Sequence, residues 1–255
     1  MNAGQTCLSV ERCYVDRAIY EDFLRLMAEK IRKLRVGNGL NSEVEMGPLI
    51  NERQLRTVEA HVNDTIERGA RLLAGGRRLT ELGSNFYSPT LLADVTPDMR
   101  VIQEETFGPV LPVAAFDTEA EAVELANNSE FGLAASVWTR DRKRAQTIAR
   151  QIKAGTVMIN DMISCFGISE APHGGFKQSG IGRTHGEIGL AEMVQVKYID
   201  SDLVPNMKKV WWYGYGNLFQ QQAMGLVQAL YGRGLANRLK GFLHTIGAIR
   251  RDTRI

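Results

Sequence analysis

The apolar positions of this chain recur with two periods, one helical and one extended. In AIYEDFLRLMAEKIRKL they recur every three or four residues, which predicts a helix with one buried face made of Ile19, Phe23, Leu26, Met27, Ile31 and Leu34. A second helix is predicted from Glu52 to Arg68. A third is predicted in TEAEAVELANNS, where Thr118 caps its N-terminus. A further helix is predicted in RDRKRAQTIARQI.

Short apolar runs between these helices predict strands. They are RCYVD, ARLLAGG, NFYSPTLLADV, GPVLPVAAFD, LAASVWT and AGTVMIND. Strands that alternate with helices of this length predict an α/β fold of three layers, in which helices cover a largely parallel sheet. Runs such as GTVMIN carry few charges, as expected of strands that are covered on both faces.

The pattern changes towards the C-terminus. EMVQVKYID alternates apolar and polar residues, so we expect residues 193–202 to form a half-exposed strand that pairs with another subunit of a homo-oligomer. Two amphipathic helices are predicted in residues 203–255, in NLFQQQAMGLVQALY and LANRLKGFLHTIGAI, and Trp211 and Trp212 precede them. The first of these helices places Phe219, Ala223, Leu226, Val227 and Leu230 on one face.

Charge divides the chain at the same place. From Leu203 onward it has eight Lys or Arg residues and one acid, a net charge of +7, whereas the part before carries a net −5. One interpretation is that the two tail helices pack on the protein itself. The alternative is a peripheral contact with a membrane surface. The basic residues are spread out without a binding motif, so no nucleic-acid partner is expected.

Composition excludes several classes of protein. The chain has 255 residues, 44% of them hydrophobic and 24% charged, which is typical of a globular protein. Its three cysteines and four histidines show no CxxC or HExxH spacing, so neither a disulfide framework nor a metal site is expected. No apolar run is long enough to span a bilayer, and the first residues lack the pattern of a secretion signal. We therefore expect a reducing, cytoplasmic setting.

Three stretches carry candidate chemistry. Cys7 in GQTC is a possible nucleophile if it lies in a turn at the start of a short helix, because backbone N–H groups there stabilise a thiolate or an oxyanion. Taken alone, the GQTC run is more typical of a small buried cysteine. GGFKQSGIGRTHG matches neither a dinucleotide fingerprint nor a Walker loop, which indicates a connector rich in turns. In QEETFGPV, Glu105 and Phe107 project to the same side of an extended segment, where they could meet a ribose and a flat ring.

These stretches together resemble the aldehyde dehydrogenase superfamily. NAGQTCLSVERCYV, EETFGPV, GTVMIND and PHGGFKQSGIGRTHGEIGLAEM occur in the order and spacing of that family. The resemblance covers about Asn2 to Asp200, and EETFGPV and GGFKQSG are highly specific to the family. It implies that residues 1–192 are the catalytic domain, which carries the nucleophile, that 193–202 is an oligomerisation strand, and that 203–255 is an additional basic tail.

The resemblance also implies an activity, the oxidation of an aldehyde to a carboxylic acid with NAD or NADP. Cys7 matches the catalytic nucleophile, whose thiolate forms a thiohemiacetal and then a thioester that water hydrolyses. The backbone N–H of Cys7 matches one donor to the oxyanion. Glu105 matches the acid that holds the nicotinamide ribose, and Phe107 the aromatic residue beside the nicotinamide. The aldehyde entrance is expected at Met162, Ile163, Cys165 and Phe166.

One part of the family pattern has no counterpart in this sequence. Family members carry a nucleotide-binding half before the nucleophile, and it supplies the cofactor domain, a general-base glutamate, an oxyanion asparagine and a lysine that meets the ribose. We therefore expect a catalytic half that does not oxidise aldehydes as an isolated chain. The alternatives are a non-catalytic association module that retains the fold and a hydrolase that uses Cys7 with a histidine.

Overall fold

A computed structural model describes residues 1–203, 213 and 216–252, with side chains described as far as residue 247. Trp211 and Trp212 lie outside the described residues. The chain forms two compact units, Met1–Gln195 and Val196–Ile255.

A mixed four-stranded sheet forms the centre of the first unit. Its strands are β1 (Cys13–Asp16), β2 (Arg71–Ala74), β3 (Thr90–Ala93) and β4 (Val110–Phe116). They lie in the order β1-β4-β3-β2; β4 pairs in parallel with β1 and β3, and β2 is an antiparallel edge strand. The α/β fold is therefore confirmed, with one antiparallel strand that the sequence pattern did not predict.

Helices cover both faces of this sheet. The longest are α1 (Tyr20–Arg32) and α2 (Glu52–Glu67). Along β3, Leu91 and Ala93 pack in one buried cluster with α1, whereas Leu92 packs in another with α2. Because successive side chains of a strand point to opposite faces, the two helices lie on opposite sides of the sheet. This gives the three predicted layers.

The buried face of α1 differs from the predicted one. Tyr20, Leu24, Ala28 and Ile31 are buried, whereas Leu26 is exposed. The phenolic O–H of Tyr20 lies within hydrogen-bonding distance of the Val113 carbonyl (3.1 Å) and the Asp94 carboxylate (3.0 Å), and this tyrosine sets the rotation of the helix on the sheet. The pattern of aliphatic residues alone does not contain that information.

The rest of the first unit consists of short elements. They are α3 (Arg100–Gln103), α4 (Glu119–Asn127), β5 (Phe131–Gly132), β6 (Ala134–Val137), α5 (Arg142–Ala149), β7 (Thr156–Ile159), β8 (Phe176–Lys177) and α6 (Gly186–Ala191). β6 pairs in parallel with β7, and β5 pairs antiparallel with β8. Thr118 caps α4 as predicted, since its hydroxyl accepts a hydrogen bond from the Glu121 N–H.

The strand predicted at residues 193–202 is not formed in this single chain. Residues 195–202 belong to no helix or strand, and every side chain from Leu190 to Leu203 is exposed. A strand whose partner belongs to another subunit has no ladder of hydrogen bonds within its own chain. The oligomerisation role of this segment stays a prediction.

The second unit contains a helical hairpin made of α7 (Asn217–Tyr231) and α8 (Leu235–Asp252). On the predicted apolar face of α7, Leu226, Val227 and Leu230 are exposed, whereas Gln222 and Gly225 of the same helix are buried. The helices approach through glycines: a Cβ at Gly225 would lie 3.0 Å from the carbonyl oxygen of Gly241. Among the described residues, no helix is both long and apolar enough to cross a membrane.

Candidate active site

Cys7 lies in an exposed turn near the start of the chain. The turn is closed by a hydrogen bond from the Ser9 N–H to the Thr6 carbonyl, 2.8 Å long, and no helix follows. The helix start expected at this cysteine is therefore absent. The thiol is nevertheless open to solvent, which a nucleophile that meets a small molecule requires.

Gly4 brings the Cys7 turn against the loop that carries Glu105 and Phe107. It adopts a left-handed φ of +74°, and a Cβ built on it would lie 1.9 Å from the carbonyl oxygen of Gly108. Only glycine fits such a contact between two backbones. The structure thus brings together Cys7 and the ETFG loop, which lie far apart in the sequence.

Glu11 holds the ETFG loop from the other side. Its carboxylate accepts hydrogen bonds from the backbone N–H groups of Thr106 (3.0 Å) and Phe107 (3.1 Å). Burial raises the pKa of Glu11, although both N–H groups act in the opposite direction. Glu11 lies only four residues after Cys7, so one short segment carries the thiol and also binds the backbone of the ETFG loop.

Helix α2 supplies further contacts to this loop. The side-chain amide of Gln54 donates to the carbonyls of Thr106 (2.8 Å) and Phe107 (3.1 Å). Nδ1 of the buried His61 lies 3.1 Å from the Thr106 hydroxyl. Phe107 has a left-handed φ of +49°, which is unfavourable for a residue with a side chain and persists because these contacts fix the backbone.

Charged groups surround His61. Its Nε2 lies 3.2 Å from the Glu104 carboxylate, which also accepts two hydrogen bonds from the Arg100 guanidinium. The hydrogen bonds from Arg100 lower the pKa of Glu104 to about 2. Burial lowers the pKa of His61, and the nearby charge of Arg100 lowers it further. Both Glu104 and Glu105 are exposed, but Glu104 is held by Arg100 and His61 and thus belongs to the support of the loop.

The predicted aldehyde entrance lies beside the Cys7 turn. Leu8 is buried in a small cluster with Met158 and Cys165, and Ile163 packs against it. Met162 and Phe166 are exposed. Leu8, the residue next to Cys7, is therefore anchored on the loop in which all four entrance residues were predicted.

Two histidines that the sequence analysis left without a role lie next to Phe166. The ring of Phe166 is 5.5 Å from that of His173, edge to face, and 5.6 Å from that of His185. Burial lowers the pKa of His173, and the nearby His185 lowers it further. Within the part of the chain that the structure describes, no group of three or more His, Cys, Asp or Glu residues could hold a metal ion.

The glycine-rich stretch GGFKQSGIGRTHG contacts several other elements of the first unit. The ammonium of Lys177 donates to the carbonyls of Asn127 and Ser129, both at 2.8 Å, just at the C-terminus of α4. A Cβ at Gly155 would lie 1.7 Å from the carbonyl oxygen of Gly174, so these backbones are in contact. Asn160 exchanges two hydrogen bonds of 2.9 Å with the backbone of Thr139. These contacts fit the connector predicted for this segment.

Sequence reasoning missed Glu11, Gln54 and His61. Each acts on the backbone or hydroxyl of a distant loop, and such a contact leaves no periodicity or motif in the sequence. The weak signal available was an acid, Glu11, placed directly before an apolar strand.

Comparison with known proteins gives one consistent family. The family described as "Aldehyde dehydrogenase family" matches residues 1–199. The chain is 44% identical over 198 residues to 3-sulfolactaldehyde dehydrogenase of Pseudomonas putida, covering 78% of this chain and 40% of that protein. It is 46% identical over 200 residues to mitochondrial succinate-semialdehyde dehydrogenase of Rattus norvegicus, covering 78% and 38%.

Solved structures show the same similarity. Betaine aldehyde dehydrogenase from Staphylococcus aureus, in complex with NAD+ and with one cysteine modified by BME, has a TM-score of 0.74 and 37% identity, covering 82% of this chain and 43% of that one. Succinate-semialdehyde dehydrogenase from Burkholderia pseudomallei has a TM-score of 0.73 and 43% identity, covering 77% and 40%.

The chain spans about two fifths of the length of the curated relatives it matches. A relative from Mycolicibacterium smegmatis aligns over 237 residues at 39% identity, covering 91% of this chain and 46% of that protein. An alignment of that length runs past residue 200, so similarity to this relative continues into the tail.

Proposed function

This chain belongs to the aldehyde dehydrogenase family, and we propose that it is the catalytic part of an enzyme that oxidises an aldehyde to a carboxylic acid. The observation that carries the proposal is the contact between two loops: Gly4, just before Cys7, packs on Gly108, just after Phe107. An exposed thiol and an exposed carboxylate thus occupy adjacent loops.

The chemistry begins at Cys7. Its thiolate forms a bond to the aldehyde carbon, and the carbonyl π electrons move onto oxygen to give a thiohemiacetal. The backbone N–H of Cys7 is proposed to donate to that oxygen. Two-electron oxidation of the thiohemiacetal gives a thioester, and water then cleaves the C–S bond to release the acid and regenerate the thiol.

The cofactor is proposed to be NAD or NADP, which when bound supplies the two-electron oxidant. The residues present fit such a group. Glu105 offers a solvent-exposed carboxylate to ribose hydroxyls, and Phe107 offers a half-buried ring on a backbone that Glu11 and Gln54 hold in place. A rigid loop binds a ligand at a lower entropic cost than a mobile one.

The substrate is proposed to enter past Met162, Ile163, Cys165 and Phe166. Their loop packs on Leu8, the neighbour of the nucleophile, so a change in these side chains alters the access to Cys7. Apolar and aromatic residues predominate here, which suits the non-reacting part of an aldehyde. The names of the relatives suggest small polar or acidic aldehydes as the first compounds to test.

The isolated chain is expected to show no aldehyde oxidation. Loss of a single oxyanion donor already costs about a hundredfold or more in rate. Residual reactivity of the thiol remains, however, because Cys7 is exposed. Weak hydrolysis of an activated ester such as p-nitrophenyl acetate is therefore the activity that we expect of this chain.

The test compares three cysteine variants. Cys7→Ala should abolish the esterase signal and the fast reaction with a thiol reagent. Cys13→Ala is the matched control, because burial raises the pKa of Cys13 to about 11, and Cys165→Ala is a second control with a buried thiol. An esterase signal that survives Cys7→Ala would contradict the proposed nucleophile. Turnover of aldehydes by the purified chain with NAD or NADP would contradict its expected inactivity.

The second candidate function is an association module that keeps the fold without catalysis. The observation that favours it is the exposed apolar segment Met193–Ile199, which suits pairing with a second copy of the chain. We propose that this segment mediates a homo-oligomer in either case. The proposed setting is cytoplasmic, with peripheral membrane contact through the tail.

A further inference from the structure

The α7–α8 hairpin of the second unit turns its large apolar side chains outward. The residues in contact are small: a Cβ at Gly241 would lie 2.4 Å from the backbone nitrogen of Ala229, and one at Gly225 would lie 2.6 Å from the Thr245 hydroxyl. Backbones this close leave no room between the helices for leucine or phenylalanine. Nine large apolar residues of the hairpin are exposed instead, from 40% at Leu226 to 85% at Leu235: Met224, Leu226, Val227, Leu230, Tyr231, Leu235, Leu239, Phe242 and Leu243.

This packing is the reverse of that in a water-soluble hairpin. Helix pairs in water bury their large apolar residues between them, whereas pairs in contact with lipid pack through small residues and present large ones to the acyl chains. Neither helix is long and apolar enough to cross a membrane. The arrangement therefore suits a hairpin that lies in the interface of one leaflet.

Charge identifies the kind of surface. The sequence has no acid between Asp202 and Asp252. Leu235, Leu239, Phe242 and Leu243 form one stripe on α8, and at 3.6 residues per turn the exposed Arg238 and Lys240 lie on either side of it. Basic side chains that flank an apolar stripe reach the phosphate groups while the stripe enters the acyl region.

We propose that the α7–α8 hairpin docks onto an anionic phospholipid surface. The apolar stripe enters the boundary between headgroups and acyl chains, and Arg233, Arg238 and Lys240 bind lipid phosphates. The inference specifies the membrane contact proposed for the tail, and it does not depend on the aldehyde chemistry.

The test is co-sedimentation of the full chain with vesicles. One set contains phosphatidylcholine alone, and the other an equal mixture of phosphatidylcholine and phosphatidylglycerol. We expect binding to the anionic set only, with a steep loss as salt is added. The triple variant Arg233→Gln, Arg238→Gln, Lys240→Gln should weaken binding about a hundredfold, since each basic residue contributes about fivefold.

Two further variants complete the test. The control triple variant removes the same charge from exposed sites of the first unit, with Arg140→Gln, Arg142→Gln and Lys143→Gln. It should bind the vesicles as the unmodified chain does. Leu239→Asn, Phe242→Asn keeps the charge and should lose binding, with circular dichroism to show that the helices persist. Absence of binding to the anionic vesicles, or equal loss in the control triple, overturns the proposal. The proposal is also overturned if the chain forms a dimer and the double variant Leu239→Asn, Phe242→Asn dissociates it. A second copy of the chain would then cover the exposed apolar residues of the hairpin.

Discussion

Gly4 is the residue on which the juxtaposition of the two loops most depends. A methyl group there meets the Gly108 carbonyl oxygen at 1.9 Å, and its φ of +74° disfavours any side chain. We expect Gly4→Ala to lower the free energy of unfolding by about 3 kcal/mol, from overpacking and backbone strain together. It should also slow the reaction of Cys7 with a thiol reagent.

Gly39→Ala is the matched control for that substitution. A Cβ at Gly39 meets no atom within 4 Å, and its φ is ordinary. Urea unfolding of both variants measures the difference. Equal stability of the two would show that the contact between Gly4 and Gly108 does not hold the loops together.

His61 makes the stability of the chain depend on pH. Burial lowers the pKa of this imidazole in the folded chain, so the unfolded chain binds the proton more readily. The free energy of unfolding should therefore fall as the pH drops below the ordinary histidine value of about 6.5. Glu104, whose pKa is lowered to about 2 in the folded chain, adds to the loss only when the pH falls towards its ordinary value of about 4.5, where the unfolded chain begins to bind the proton.

Urea unfolding at a series of pH values between neutral and mildly acidic tests this expectation. His61→Asn should show a smaller loss of stability on acidification than the unmodified chain. Some loss should remain, because burial also lowers the pKa of His173. His244→Asn, at an exposed site, is the control and should leave the pH dependence unchanged. An unaltered pH dependence in His61→Asn would contradict the assignment.

At the scale of the element, α1 shows what a hydrophobic pattern determines and what it does not. The period of apolar residues placed a helix correctly, but it included Leu26 in the buried face. A helix with many apolar residues has several stripes that could face the sheet. Here the hydrogen bonds of Tyr20 to Val113 and Asp94 select one of them.

Two leucines of α1 provide a paired measurement. Leu24 is 1% exposed within the cluster on the sheet, and Leu26, two residues further on, is 48% exposed. Leu24→Ala should cost about 3–5 kcal/mol because it leaves a cavity. Leu26→Ala should cost less than about 1 kcal/mol. Chemical denaturation resolves this difference in the free energy of unfolding. A larger loss for Leu26→Ala than for Leu24→Ala would support the buried face predicted from the sequence instead.

The tail helices show the same limit more strongly. The sequence predicts both helices, yet Leu226, Val227 and Leu230 on the apolar face of α7 are exposed. The positions that do pack are glycine, alanine and threonine, which a search for large hydrophobic residues passes over. Close packing of two helix backbones requires small residues at the contact. Which small residues lie at the contact can be identified only when the position of the partner helix is known.

At the scale of the whole molecule, the exposed segment Met193–Ile199 predicts self-association. Val194→Lys, Val196→Lys should shift the chain towards monomer in sedimentation velocity, because like charges would face each other across a paired strand. Leu40→Lys, Ile50→Lys places the same charges at other exposed apolar sites and should leave the distribution unchanged. A chain that is monomeric at every concentration tested would contradict the proposed homo-oligomer.

The sequence by itself determined most of the longer helices and strands, the α/β class and the family, because hydrophobic period and local motifs are properties of neighbouring residues. It also identified Cys7, Glu105 and Phe107 as the residues to examine. Only the tertiary structure decided how those residues are held: Gly4 against Gly108, Glu11 and Gln54 on the backbone of the ETFG loop, and an outward apolar face on the tail hairpin. These contacts join distant segments through backbone atoms, which are the same in every residue and so leave no pattern to read in the sequence.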